Sequence, residues 1–214
     1  MIFQLEPNKL LFPNPALGEK EGLLAVGGDL CVERLQLAYS HGIFPWYSFR
    51  DSMIQWWCPL DRFVIFPSEI HISHSMRSVL SSRRFKVTIG KAFKEVMHHC
   101  SEVNQRNQME GAWLGEEMIE AYTKLYEKRW ATSVEVWEGD KLVGGLYGVI
   151  VNRVFAGESM FSHVPNASKV ALIRLAQLLA SHNMIIDCQF ETAHLKSMGG
   201  RHISYDELKK YLSK

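Results

Sequence analysis

A carboxylate inside an apolar stretch is the first residue of this chain that asks for a chemical explanation. Glu158 follows Phe155-Ala156-Gly157 and precedes Ser159-Met160-Phe161-Ser162. Val154 and Phe155 predict a strand running into Gly157, where glycine permits a bulge or a close backbone approach. A charged group there is either tied to nearby backbone amides or open to a cleft, because unpartnered burial is too costly. A second group is aromatic: Gly42-Ile43-Phe44-Pro45-Trp46-Tyr47 and Trp56-Trp57-Cys58-Pro59 crowd rings into a short span. Such rings form a small docking core, or one of them, Trp46 first, lines a site for a flat ligand such as a base. A third group is basic. Arg77, Arg83, Arg84, Lys86, Lys91 and Lys94 fall between Ile70 and Lys94 with no Asp or Glu among them. That run is a solvated face or a surface for phosphate backbone. His71 with His74, and His98 with His99, are the histidine pairs that could hold a metal. Neither has a third ligand nearby in sequence, so no metal site is expected.

These groups must be positioned by the elements around them. Pro7, Pro13, Pro15, Gly18, Gly22, Gly27 and Gly28 exclude long regular elements from the first sixty or so residues. One short helix is predicted from Val32 to Ser40, capped by Asp29 or the residues after it and ended by Gly42. From Arg62 the pattern alternates: a strand to Pro67, a helix over 73–82, a strand over 85–89 and a helix over 91–100. A polar loop is expected over 102–111. A helix over 116–129 then presents Met118, Tyr122, Leu125 and Tyr126 to the core. Ser133–Trp137 and Leu142–Val151 read as strands joined by a hairpin turn. Asn166 can cap a helix to about 182 with Val170, Leu172, Ile173, Leu175, Leu178 and Leu179 on its buried face. A strand over 184–190 would put Asp187 and Gln189 on one face, since side chains two apart share it. Ser204-Tyr205-Asp206-Glu207 is a capping box for a last helix.

Composition narrows the class. With 214 residues and 47% hydrophobic content the chain can bury a full core in one large domain or two modest ones. A net charge of +1 confines nucleic-acid contact to a local patch. Cys31, Cys58, Cys100 and Cys188 form no Cys-x-x-Cys pair, which argues against zinc ribbons and disulfide frameworks and suits a reducing cytosol. The start lacks a signal-peptide pattern and no apolar run is of membrane length. A soluble cytoplasmic protein with no membrane contact is expected.

The order helix, three antiparallel strands, helix, strand resembles the GNAT acyltransferase fold. Acetyl-CoA-using members carry a glycine-rich loop after the third strand whose amides hold pyrophosphate. Here that place reads Ser162-His163-Val164-Pro165-Asn166-Ala167-Ser168-Lys169, with no glycine and one proline lacking an amide donor. Five ordered motifs instead resemble the leucyl/phenylalanyl-tRNA–protein transferase family, from about residue 10 to Gly199. They are Gly27-Gly28-Asp29-Leu30, Gly42-Ile43-Phe44-Pro45-Trp46, Gly157-Glu158-Ser159-Met160-Phe161-Ser162, Ala167-Ser168-Lys169 and Asp187-Cys188-Gln189.

That resemblance implies an α/β (α+β) chain. A small irregular N-terminal domain over 1–61 would precede a GNAT-like acyltransferase domain over 62–214 with a mixed, mostly antiparallel sheet. It implies a cofactor-free, monomeric enzyme that moves Leu or Phe, less readily Met, from aminoacyl-tRNA to proteins beginning with Arg or Lys, creating an N-end-rule degradation signal. Leu-tRNA, Phe-tRNA and those proteins are the implied partners. Asp187 and Gln189 would be catalytic, Asp187 accepting from or deprotonating the α-amine and Gln189 donating to the carbonyl or orienting the amine. Leu146, Phe155, Leu172, Leu175 and Ile186 would line an apolar donor pocket that Glu158 helps shape. Trp46, Trp113 and Tyr122 would bracket the terminal adenosine, and Arg77, Arg83, Arg84 and Lys86 would contact the acceptor stem. Ala112 stands where the family commonly has Thr, which removes a hydroxyl contact. The alternatives are a GNAT-type N-acetyltransferase and a non-catalytic tRNA-binding module, which would not need Asp187 and Gln189 together.

Overall fold

The computed structural model describes residues 1–47, 53–106 and 115–213. Short elements fill the first part, as its prolines and glycines dictate: β1 (Phe3–Leu5), β2 (Leu23–Gly27), α1 (Val32–Ser40), β3 (Phe44–Tyr47) and β4 (Ile54–Trp57). The strands form a four-stranded sheet in the order β1-β2-β4-β3. Asp29 accepts from the Cys31 amide ahead of α1, and Gly42, at φ 68°, follows its end in the left-handed conformation that glycine tolerates.

The remainder comprises β5 (Asp61–Ile65), α2 (His74–Ser81), β6 (Lys86–Ile89), α3 (Phe93–Arg106), α4 (Glu116–Glu127), β7 (Ala131–Glu138), β8 (Lys141–Val151) and β9 (Val154–Ser162). Then follow α5 (Ala167–Leu179), β10 (Ile185–Asp187), α6 (Ala193–Ser197), β11 (Arg201–Ser204) and α7 (Tyr205–Leu212), the last opened by the expected capping box. The second sheet has seven strands in the order β11-β5-β10-β9-β8-β7-β6. Its pairs are antiparallel except β9 with β10. The sheet is therefore mixed and mostly antiparallel, with α3 and α4 packed on one face and α5 on the other. The cluster under α3 and α4 continues into Leu35 of α1 and into Leu24 and Trp56 of the first sheet, so the two sheets share hydrophobic packing.

Three local expectations change. Helix α3 runs through Glu102 to Arg106, where a polar loop was expected, because Phe93, Val96, Met97 and Cys100 anchor its apolar stripe in the core. Asn166 precedes α5 at φ 73° with no side-chain cap bond; Ser162 Oγ accepts from the Ser168 amide instead (3.2 Å). Leu178, expected on the buried face of α5, is 46% exposed.

The feature that positions the site is a bulge. Along β8 and β9, Tyr147 pairs with Ser159 and Gly148 with Gly157, leaving Glu158 as the extra residue. Such a bulge re-aims one side chain and bends the strand. The close approach belongs to Gly148 rather than Gly157: a Cβ on Gly148 would lie 2.3 Å from the Ala156 carbonyl, whereas one on Gly157 would meet nothing nearer than 3.6 Å.

Candidate active site

Strand β10 pairs with β9 only over 185–187 against 154–156, and then leaves the sheet. The gap beside the rest of β9 is a cavity of about 280 Å³. Its apolar wall includes Leu146, Phe155, Leu172, Leu175 and Ile186, so all five expected pocket residues come together there. Sequence reading missed Thr192, His194 and Leu195, which close the cavity from the chain after β10 and carry no periodic signal. A second cavity of about 100 Å³ is lined by Phe44, Pro45, Trp46, Glu158, Gln189 and Phe190. Trp46 is 36% exposed, with ring centroids 5.8 Å from Trp57 and 5.9 Å from Phe190. Glu158 and Gln189 line both cavities and so form their common wall.

At this wall the Gln189 side-chain amide donates to Glu158 (3.2 Å), and Tyr122 donates to its other oxygen (3.1 Å). The Tyr122 hydroxyl also bonds that of Tyr39 on α1, giving a buried Tyr–Tyr–carboxylate chain. Burial pushes the Glu158 carboxyl up to about 7, opposed by hydrogen bonds from the two tyrosines and raised further by the nearby Asp187 charge. Glu135 is the contrasting case. It is wholly buried, accepts from Ser133, Thr88 and the amides of Lys91 and Ala92, and lines neither cavity. Glu135 is held as a structural carboxylate; Glu158 is held at a cleft.

Asp187 and Gln189 are placed differently from the shared strand face expected of them. The strand ends at Asp187, and Gln189 lies beyond it at φ 58°, so the two do not share a strand face. They are joined instead by a bond from the Gln189 backbone amide to Asp187 Oδ1 (3.0 Å). Asp187 lines neither cavity. Both of its oxygens are taken by buried Arg62, from Nε at 2.9 and 3.1 Å and from Nη2 at 2.8 Å, while Nη2 also donates to the Gly42 carbonyl (2.7 Å). The Asp187 carboxylate thus holds the Gln189 backbone amide and is 2% exposed. Arg62 went unassigned in the sequence, although a cation at the head of the apolar run Phe63-Val64-Ile65 was its signal. Arg62→Ala is expected to lower unfolding free energy by about 3–5 kcal/mol, because it strands a buried carboxylate. Urea unfolding measures this, and a loss below about 1 kcal/mol contradicts the pairing.

Tyr122, expected to bracket the adenosine, is 0% exposed, and its hydroxyl donates to Glu158. Trp113 lies outside the described residues. Of the basic run, Arg77, Arg83, Arg84 and Lys86 are all exposed, but Arg84 pairs with Glu138 (2.5 Å), an acid brought in from β7.

The loop before α5 already has two of its amides committed. Its Ala167 amide donates to the Val164 carbonyl and its Ser168 amide to Ser162 Oγ, while Pro165 has none. An apolar cavity sized for a side chain, joined to an aromatic one through a carboxylate and a carboxamide, is compatible with an acyl-group transferase that takes an apolar donor.

The comparisons name the kind. The family model for leucyl/phenylalanyl-tRNA protein transferase matches residues 64–213, and the model for the N-terminal domain of that transferase matches 28–60. The leucyl/phenylalanyl-tRNA–protein transferase of Flavobacterium psychrophilum is 50% identical over 207 residues, covering 96% of this chain and 97% of its own. That of Pectobacterium carotovorum is 46% identical over 215 residues, covering 99% and 90%. The chain belongs to the leucyl/phenylalanyl-tRNA protein transferase family and is an aminoacyltransferase. Among solved structures, an aminoglycoside acetyltransferase from a soil metagenome aligns at TM-score 0.42 and 10% identity, over 62% of this chain and 91% of its own. The sheet order above rests on the chain's own strand register.

Proposed function

We propose that this enzyme moves Leu or Phe, and less readily Met, from aminoacyl-tRNA to the N-terminal α-amine of proteins beginning with Arg or Lys, marking them for degradation. The observation that carries this reading is the wall shared by the two cavities. A donor whose apolar side chain fills the larger cavity, with its terminal adenosine against Trp46, sets its ester carbonyl beside Glu158 and Gln189.

An aminoacyl ester is already activated, so the enzyme must position it, supply a neutral amine and stabilise the developing oxyanion. A free α-amine has a pKa of about 8, so a carboxylate near 7 is suited to take its proton. Glu158 receives that proton as the amine nitrogen attacks the carbonyl. The tetrahedral intermediate then collapses to an amide, and Glu158 returns the proton to the leaving tRNA terminal hydroxyl. Gln189 has one amide hydrogen on Glu158; its remaining hydrogen and its carbonyl oxygen are the groups that orient amine and ester. Asp187 and Arg62 hold Gln189 in place. Transfer of labelled Leu from Leu-tRNA to a protein beginning with Arg tests the reading, with the same protein beginning with Asp as comparison. Equal labelling of both, or of neither, overturns it.

We also place the acceptor stem against Arg77, Arg83, Arg84 and Lys86, since phosphate contacts suit an enzyme that accepts several tRNAs. Replacing Arg83 and Arg84 with Ala is expected to reduce the log–log salt slope of tRNA binding by about one to two units. The lower value applies if Glu138 already neutralises Arg84. An unchanged slope makes the run a solvated face.

A further inference from the structure

His99 and Glu102 lie one turn apart on α3, and the fold brings His163 to them from the end of β9, 64 residues along the chain. One ligand atom from each of the three lies within 4.8 Å of the others. We propose that these residues form a binding site for a zinc-class divalent cation, separate from the active site. None of the three lines either of the cavities described above.

The geometry carries the proposal. His99 Nδ1 is 3.1 Å from His163 Nε2 and 3.6 Å from Glu102 Oε2. Ligand atoms around a four-coordinate zinc, with bonds of about 2.0–2.2 Å, stand about 3.3–3.5 Å apart, so the two separations bracket the required edge. Two imidazoles and a carboxylate are a donor set that zinc accepts, with a fourth position left to water. The rings are also held in place. Those of His99 and His163 lie 4.9 and 5.0 Å from the buried Phe161 ring, and the His163 amide donates to the Val143 carbonyl (2.8 Å). Ligating histidines commonly turn their outer nitrogen to a carboxylate, which fixes the tautomer. His99 Nε2 faces Glu95 Oε1 at 4.0 Å, within reach of a small rotamer change. Binding requires both imidazoles neutral, each keeping its proton on the outward nitrogen, so the ion replaces the present hydrogen bond between the rings.

His202 provides the internal contrast. Asp61 and Glu191 each lie 2.9 Å from it, but on opposite ring nitrogens, so they cannot converge on one ion. Adjacent His98, on the same helix, is not part of the cluster. The site would tie α3 to the loop between β9 and α5. Its detection needed the tertiary structure, because no spacing links residue 99 to residue 163.

Calorimetric titration of the chelator-treated full chain with ZnCl₂ near neutral pH tests the proposal. One ion per chain with micromolar affinity is expected, lost at acid pH where protons compete for the imidazoles. His99→Ala and His163→Ala should each weaken binding at least about tenfold, and Glu102→Gln should weaken it as well, while His202→Ala leaves it unchanged. His163→Asn keeps the readout available should the alanine variant fail to fold. Co²⁺ in place of Zn²⁺ should give the intense visible absorption of a four-coordinate site in the wild type and lose it in the His163 variants. Absence of saturable binding up to millimolar zinc, or wild-type affinity in both the His99 and His163 variants, overturns the proposal and leaves a hydrogen-bonded cluster.

Discussion

Glu158→Gln is expected to slow single-turnover transfer by about 10²–10⁴-fold near neutral pH, the usual worth of a positioned general base. It should also remove the pH dependence that Glu158 imposes. Only the ionised carboxylate can accept the α-amine proton, so the wild-type rate should climb as pH rises through about 7. Glutamine preserves the shape and one acceptor for Tyr122 but cannot take a proton. The same substitution has an opposite effect on stability, which separates chemistry from folding. With its folded pKa raised to about 7 from a reference of 4.5, Glu158 is protonated in the folded chain and ionised in the unfolded chain between those values. Its contribution to stability is therefore present below pH 4.5 and is lost as pH rises toward 7. The Gln variant should melt higher than wild type above that window while being far slower. Tyr122→Phe should move the rate inflection upward by about one to two units, because it removes a hydrogen bond that favours the carboxylate. An activity–pH profile for Glu158→Gln that overlays the wild type would end the general-base assignment.

Gln189→Ala is expected to cost about 10²–10³ in single-turnover rate for Leu and Phe alike, with aminoacyl-tRNA affinity near wild type. On the proposed reading the carboxamide, set on the wall between the cavities, meets the reacting centre for either donor. Pocket substitutions should behave in the reverse manner. Phe155→Leu and Ile186→Val alter the space offered to the side chain, and a methylene there is worth about 1–3 kcal/mol. The Leu:Phe ratio should move about ten-fold while the faster donor keeps most of its rate. Asp187→Asn should resemble neither. It leaves an acceptor for the Gln189 amide but removes the counter-charge of Arg62, so it should lose stability together with rate. Transfer with both donors, alongside filter binding, separates the three. A Gln189→Ala rate within a few-fold of wild type makes Gln189 structural, and a constant Leu:Phe ratio places the donor side chain elsewhere.

The sequence alone determined the elements whose signals are local. Apolar periodicity marked α4 and α5, turn chemistry marked the β7–β8 hairpin, and Ser204 with Glu207 marked the start of α7. Motif order marked the family and the five apolar residues that meet in one cavity. What tertiary structure decided was how charges are paired. Asp187 and Gln189 read as equals on a strand, yet Arg62, 125 residues away, occupies one of them and leaves Glu158 as the carboxylate at the cleft. Tyr122 read as a core residue or an adenine bracket, and only the tertiary fold brings its hydroxyl to Glu158 at the β8–β9 bulge. The basic run lost one of its free charges to Glu138 from a neighbouring strand. Periodicity reports which face of an element is apolar, since burial is a property of each residue in turn. Hydrogen bonds, ion pairs and ligand sets depend on which distant residues arrive within 3–4 Å, and no local pattern encodes that distance.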